Sequence, residues 1–482
     1  MTAQPDTAST PTQLEEEAEH VGSRRSSLWL GVVGLGALVV SLSQSLLIPV
    51  LPALPQQLHS SPETVQWLLT STLLVGAIAV PFMGRLGDMF GKRLMLLVAI
   101  GAMLVGSLIT ALSSDIVVLI IGRAIQGISA AAIPLGISLL ATLLPARRRA
   151  TAMATISAML GVGGALGLPF AGLIAEGGDF HTLFWVTAVA AAVAFLGIML
   201  LVPEPKDRAG GHIDFVGAAL LAGALVTLLL PLAQGSDWGW GSPRTIVLFV
   251  ATVVLFAAFG LWETRHREPL VDLASLTRRP ILLTNIASLF IGFALFASLI
   301  GTATYVQAPE SSGYGFGTTT LVAGLTMLPS GLAMLVLSPV AARLINGIGA
   351  GQTLAIGGFI VAVGWILRIT VTGSLWEIVV GSTVVGIGTG IGYAAIPALV
   401  AANTPSHELA SANGVNTLIR SLGSFLASAI GGTILATVTI AGTQLPSLGG
   451  YQILFAVCAV AAIVAAVIAL LTTRPSSGRS EV

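Results

Sequence analysis

The residues in this chain that could do chemistry are a small set of charges placed among apolar runs. Gly84-Arg-Leu-Gly-Asp-Met-Phe-Gly-Lys-Arg93 is a charged, glycine-rich hairpin between two such runs. Its Gly84, Gly87 and Gly91 permit a tight turn and close approach of helices. Asp88 suits the positive N-terminal end of a nearby helix, and Arg85, Lys92 or Arg93 can hold it there. That is the chemistry of a breakable contact, a conformational latch; an ordinary charged loop is the plainer alternative. Two arginines fall inside apolar runs. Arg123 lies roughly 10 Å below a helix end at 1.5 Å per residue, where a charge costs about 2.5–3.5 kcal/mol on insertion scales. Arg420 lies roughly 15 Å in, near the midplane of a ~30 Å hydrocarbon core. A substrate carboxylate or helix carbonyls would satisfy it, and the residues alone leave both open.

Proton loading and release calls for a carboxylate, commonly a buried one. No Asp or Glu lies deep in an apolar run, so the candidates are Asp115, Glu310 and Glu377 near run ends. Glu310 is the most attractive, following Tyr305-Val-Gln307. Gln44, Trp67, Asn285, Tyr305, Gln307, Tyr393 and Arg420 are candidates to line a substrate cavity, through hydrogen bonds, stacking or charge within apolar walls. Any one of them is equally at home as a packing residue. Gly163, Gly164, Gly167 and Gly172, with Pro169, suit close helix contact and a loosened backbone ladder. The Gly386-Ile-Gly-Thr-Gly-Ile-Gly392 run has no strand before it and reads as helix packing, not a nucleotide loop. The histidines have no metal-like spacing and the single cysteine, Cys458, is isolated, so no metal or cofactor is expected.

These residues need a membrane scaffold. The chain is 55% apolar and 9% charged, with mean hydropathy +0.94, more apolar surface than a soluble globule could hide. Net charge is zero, which gives no basic face for nucleic acid. Hydropathy predicts fourteen spans: 28–51, 64–83, 94–113, 116–144, 151–174, 184–202, 215–233, 245–262, 283–307, 319–342, 354–371, 376–400, 410–438 and 452–472. With both termini inside, the inner segments hold 17 of the 21 basic residues, as the positive-inside rule demands. Arg244 alone falls outside, and three more lie within spans. The opening segment is acidic (Glu15 to Glu19), unlike a secretory signal, and residues 1–27 are expected to be a disordered cytoplasmic tail.

A degraded copy of the hairpin returns 258 residues on. Pro81, Arg85, Leu86 and Gly91 recur as Pro339, Arg343, Leu344 and Gly349. This predicts an all-α membrane protein of two homologous six-helix bundles, 28–204 and 266–473. A linker with two inserted helices (205–265) lies between them, and a cytoplasmic tail (474–482) follows. Trp238 and Trp240 suit an interfacial anchor in the insert, which is expected to serve packing.

On these motifs the chain resembles the major facilitator superfamily, in its 14-span drug:proton antiporter branch. The hairpin matches the superfamily's loop 2–3 signature, and Arg123-Ala-Ile-Gln-Gly127 matches Arg-x-x-Gln-Gly. Trp67-Leu-Leu-Thr, Gly211-His-Ile-Asp214 and Glu268-Pro-Leu-Val-Asp272 are similar to that branch over roughly residues 28–472. The resemblance implies the major facilitator fold and a proton-coupling role for Arg123 with Gln126 nearby. It also sets Asp88 against the span beginning near 410, with Thr404-Pro405 as cap and first turn. The branch's Gly-Pro-x-x-Gly-Gly reads here Gly167-Leu-Pro-Phe-Ala-Gly172, and Ser43 stands where its span-1 Asp is usual. The expected function is secondary export of drug-like or natural-product amphiphiles by alternating access, coupled to proton influx. The expected partners are a small amphiphile, protons and membrane lipids; the expected state is a monomer, in a bacterial cytoplasmic membrane. A lipid or other cargo moved without protons is the alternative, and a membrane enzyme or receptor the alternative of another class.

Overall fold

The computed structural model describes residues 11–472 apart from 48, 49, 52, 53, 177, 178, 206, 207, 211, 213, 267, 268 and 444. The tails 1–10 and 473–482, with Arg474 and Arg479, lie outside the described residues. So do Lys206, Gly211, Ile213, Arg267 and Glu268. The long helices are α1 (Pro11–Leu46), α2 (Pro62–Phe90), α3 (Lys92–Ala111), α4 (Ile116–Leu143), α5 (Ala146–Glu176), α6 (His181–Leu201) and α7 (Phe215–Trp238). They continue as α8 (Pro243–Glu263), α9 (Arg279–Gln307), α10 (Thr320–Val336 with Ser338–Ile348), α11 (Ala350–Thr370), α12 (Leu375–Asn403), α13 (Leu409–Thr437) and α14 (Leu448–Leu470). Thirteen are long and apolar enough to cross a membrane singly, and the bent pair of α10 makes fourteen. The chain is a multi-pass membrane protein of the expected span count.

Several helix starts are written locally. Ser61, Asp115, Ser242, Thr319, Ser374 and Ser447 each accept a backbone N–H in the first turn that follows. Each six-helix bundle has its own core. In the first, side chains of α1 to α6 meet around Ile100, Leu139 and Ile198. In the second, α9, α11, α12 and α14 meet around Val361, Trp365 and Phe455. The bundles touch along two seams, α2 against α13 and α5 against α10. The inserted α7 lies over the first seam, with Leu221, Leu225 and Leu229 packed beside Ala77, Val415 and Leu418. Only 17% of the apolar window of α8 is buried, against 33% for α7, so α8 is the member left to lipid.

Local structure adds detail to these spans. α1 is a helix from Pro11 to Leu46, and residues 12–46 contain no proline to break it. The hairpin is two helices separated by one residue, Gly91, whose φ of 127° is open to glycine and strained for other residues. Asp88 therefore sits in the last turn of α2. α4 is interrupted by a 3-10 turn, Ile128–Ala131, just ahead of Pro134. α10 bends by 43° after Val336, where Pro339 supplies no N–H to continue the ladder. Gly349 repeats the role of Gly91, with φ 92° at the start of the next helix.

Candidate functional site

At the basic end of the seam, Asp88 is fully buried and reaches across to the other bundle. Its Oδ1 accepts the N–H of Ala410 at 3.1 Å and its Oδ2 that of Ser411 at 2.7 Å. α13 begins without a side-chain cap of its own, so the carboxylate of α2 caps it from outside, where the helix dipole favours an anion. Lys92 lies 3.2 Å from Asp88 Oδ1 and donates to the carbonyl of Ser406 at 2.9 Å. Small residues allow the approach: a Cβ on Gly84 would come 2.6 Å from the Ala410 carbonyl, and one on Gly414 2.9 Å from that of Val80. Ser138 of α4 adds a bond to Leu409 O at 3.1 Å and accepts one from Asn413 at 3.0 Å. The expected helix is thus the partner, with one revision. Thr404 ends α12 and Pro405 opens a short 3-10 turn, Ser406–Glu408, so neither caps α13.

The other motif residues support this contact from behind. Glu204 binds the first turn of α3, accepting Arg93 N at 3.1 Å and Leu94 N at 3.0 Å. A Cβ on Gly91 would fall 2.7 Å from that carboxylate. Arg93 donates from its guanidinium to Met199 O at 2.5 Å. Gly87 faces Leu135 and Ala410. Arg85 is half-buried and acts electrostatically on Glu263 of the insert.

Arg123 is buried and hydrogen-bonded within the first bundle. Its Nε donates to Leu68 O at 3.0 Å and its Nη1 to Gln126 Oε1 at 2.7 Å; Gln126 in turn donates to Ser107 Oγ at 3.0 Å. The carbonyl it holds is on α2. The three carboxylate candidates do not meet it. Exposed Asp115 caps α4 through Val117 and Val118, Glu377 forms the capping box of α12 with Ser374, and Glu310 is exposed at the start of a 3-10 turn, Glu310–Ser312.

The cavity candidates divide into three groups. Arg420 lies 4.8 Å from the Tyr393 ring, and Asn285 accepts from Asn416 at 2.8 Å one turn along α13. Tyr305 belongs instead to an aromatic cluster with Tyr314, Tyr451 and Phe455. Gln307 is exposed beside that cluster, Gln44 is exposed on α1, and Trp67 is half-buried on α2. Of the α5 set, Gly163 and Gly167 pack on α1, while Pro169 and Gly172 meet Gly324 and Leu321 of α10. Gly164 departs from its expected packing role: it is buried, yet nothing lies within 4 Å of where its Cβ would be. The Gly386–Gly392 run packs on α10 and α11 as expected.

Sequence reasoning passed over three groups. Glu204 looks like an ordinary linker carboxylate until α3 is placed beside it. Glu263 is buried next to Asp214, which accepts Gly217 N at 2.8 Å and Trp262 Nε1 at 2.9 Å; Glu263 itself makes no hydrogen bond of ordinary geometry among the described residues. Arg368 was only one of the basic residues within spans, and a charge inside an apolar run was the available signal.

Two six-helix bundles joined at helix-paired seams, with an inserted pair of helices, are the architecture of a major facilitator transporter. The model of the Major Facilitator Superfamily matches residues 33–427 and 289–481, and the chain belongs to that family of transporters. It is 27% identical over 419 residues to the "Tetracenomycin C resistance and export protein" of Streptomyces glaucescens, covering 84% of this chain and 75% of that protein. It is 28% identical over 420 residues to the "Probable actinorhodin transporter" of Streptomyces coelicolor, covering 84% and 72%. "Multidrug resistance protein Stp" of Mycobacterium tuberculosis is 26% identical over 419 residues, covering 86% and 76%. Among solved structures, the human organic anion transporter MFSD10 (TETRAN) superposes with a TM-score of 0.66 over 92% of this chain and 99% of that one, at 17% identity.

Proposed function

We propose that this transporter exports drug-like or natural-product amphiphiles by alternating access, driven by proton influx, as a monomer in a bacterial cytoplasmic membrane with its basic end inside. The observation that carries alternating access is the Asp88 cap on α13. It is an ionic contact between bundles, made of few bonds at one end of a seam, and so able to break and reform as the bundles rock. The printed names of the relatives, which concern antibiotic export and multidrug resistance, support the cargo class. The Arg420–Tyr393 pair beside Asn285 favours neutral, weakly anionic or zwitterionic amphiphiles over strong cations. The bundles are taken as 28–204 and 266–473, with the insert between them serving packing.

Proton release from proteoliposomes under an imposed pH gradient, during addition of a panel of lipophilic compounds, tests this reading. Compound-dependent release that is lost in Glu310→Gln supports antiport through that site. Release that survives transfers the role to Asp115 or Glu377, tested by the same substitution. No release with any compound overturns proton-coupled drug export.

A further inference from the structure

The second bundle holds buried hydrogen-bond donors that no acceptor among the described residues receives. Arg368 is buried two residues before the end of α11, on the side away from the Asp88 contact. Its Nη1 donates to Ser382 Oγ at 3.0 Å, while Nε and Nη2 have no partner among the described residues. Those two atoms form one edge of the guanidinium, the edge that grips a carboxylate in bidentate fashion. In the core cluster that Arg368 packs on, two further buried polar atoms, Trp365 Nε1 and Tyr305 OH, are without partners among the described residues. The guanidinium carbon lies 4.9 Å from the Phe455 ring and 5.5 Å from the Tyr305 ring. Those faces attract the charge but accept no bond from Nε or Nη2.

The internal repeat supplies a control. A Cβ on Gly106 would lie 2.8 Å from Gln126 N, and one on Gly364 would lie 2.7 Å from Val385 N, so the same helix crossing occurs in both bundles. At that register Ser382 takes the position of Arg123, and Arg368, 258 residues on, takes that of Thr110. In the first bundle Gln126 and the Leu68 carbonyl receive the arginine. In the second, valine stands in the place of the glutamine, and only Ser382 Oγ receives the buried cation, leaving Nε and Nη2 without an acceptor among the described residues. Arginine and indole N–H groups can only donate. The missing component is therefore an acceptor, and a negative one.

The geometry points to a binding site for a small monovalent anion, a halide or a carboxylate, held by the free edge of Arg368 with Trp365 and Tyr305. The connection from α9 to α10 closes over it. Tyr314 and Phe316 pack on Tyr305, and Tyr314 OH is tied to Pro446 O at 2.7 Å. Glycines at positive φ, Gly313 and Gly317, bracket that strap and make it the natural point of entry.

The test is thermal unfolding of the purified full-length protein. Sodium chloride or sodium acetate is titrated against sodium gluconate, which is too bulky for a closed site, at constant ionic strength. The expected result is a saturable rise in the unfolding temperature with chloride (a halide site) or acetate (a carboxylate site). The rise should be absent in Arg368→Gln. In Trp365→Phe and Tyr305→Phe its midpoint should move to about tenfold higher anion, the loss of one bond to a charged group. If Arg368→Gln does not fold, the two single-donor variants decide. No saturable response to either anion, or the same response in every variant, means a site filled by water or left empty and overturns the inference.

Discussion

Asp88 concentrates three interactions in one side chain: it offsets the charge of Lys92 and accepts two N–H groups of a helix in the other bundle. Removing one partner of a buried ion pair costs about 3–5 kcal/mol, because the other charge is left without compensation. Asp88→Asn is therefore expected to weaken the joined arrangement by about 3–5 kcal/mol, a shift of a hundredfold or more in its population. Cys458 is buried and is the chain's single cysteine, so a Cys458→Ala background carrying Ala412→Cys gives a clean reporter. Maleimide labelling of that cysteine should speed up in Asp88→Asn, and an unchanged rate would remove Asp88 from the latch. Arg123, by contrast, is satisfied inside its own bundle by Leu68 and Gln126. A proton role for it has to act through that network, since no carboxylate among the described residues pairs with it.

Among helices, the contact depends on how closely two backbones approach. Gly84 leaves 2.6 Å between a missing Cβ and the Ala410 carbonyl, with backbone on the far side that cannot swing away. Gly84→Val is expected to hold α2 and α13 apart at the basic end. Gly347→Ala, at a position with open space around it, should be silent. Accumulation of an exported dye in cells distinguishes them: several-fold higher with Gly84→Val, unchanged with Gly347→Ala. Equal export by both would mean the seam is looser than its glycines indicate. The one-residue break at Gly91, with Glu204 capping α3 behind it, keeps Asp88 and Lys92 one turn apart on either side of the bend. In the repeat, Asn346 replaces the aspartate, and Gly349 preserves the bend without the charge.

Across the whole molecule, the inserted pair lies on one seam only. α7 covers α2 and α13, the helices joined by Asp88, while α5 and α10 meet without such a cover. Asp214 organises the insert by capping α7 and holding Trp262 of α8. Losing an N-cap costs about 0.5–2 kcal/mol, so Asp214→Ala should lower the unfolding temperature measurably. If the insert serves packing, export per folded molecule should stay near wild type. Loss of export in protein that is still folded would instead give the insert a part in transport, through Glu263 and the neighbouring Arg85.

The spans, their number and the twofold repeat were legible in the residues, because hydropathy and self-similarity can be read along the chain. The helix that Asp88 contacts was legible through the resemblance of its motif, though the Ala410 and Ser411 N–H groups lie 322 and 323 residues away. Tertiary structure alone decided what each buried charge meets. Arg123 found an amide and a carbonyl, Arg420 a tyrosine ring, and Arg368 one serine hydroxyl and rings, with no acceptor for its Nε and Nη2 among the described residues. These three arginines look alike in a hydropathy profile. Their environments differ because partners come from helices distant in sequence, and a single exchange across the repeat, Gln126 for Val385, changes what is available to bind.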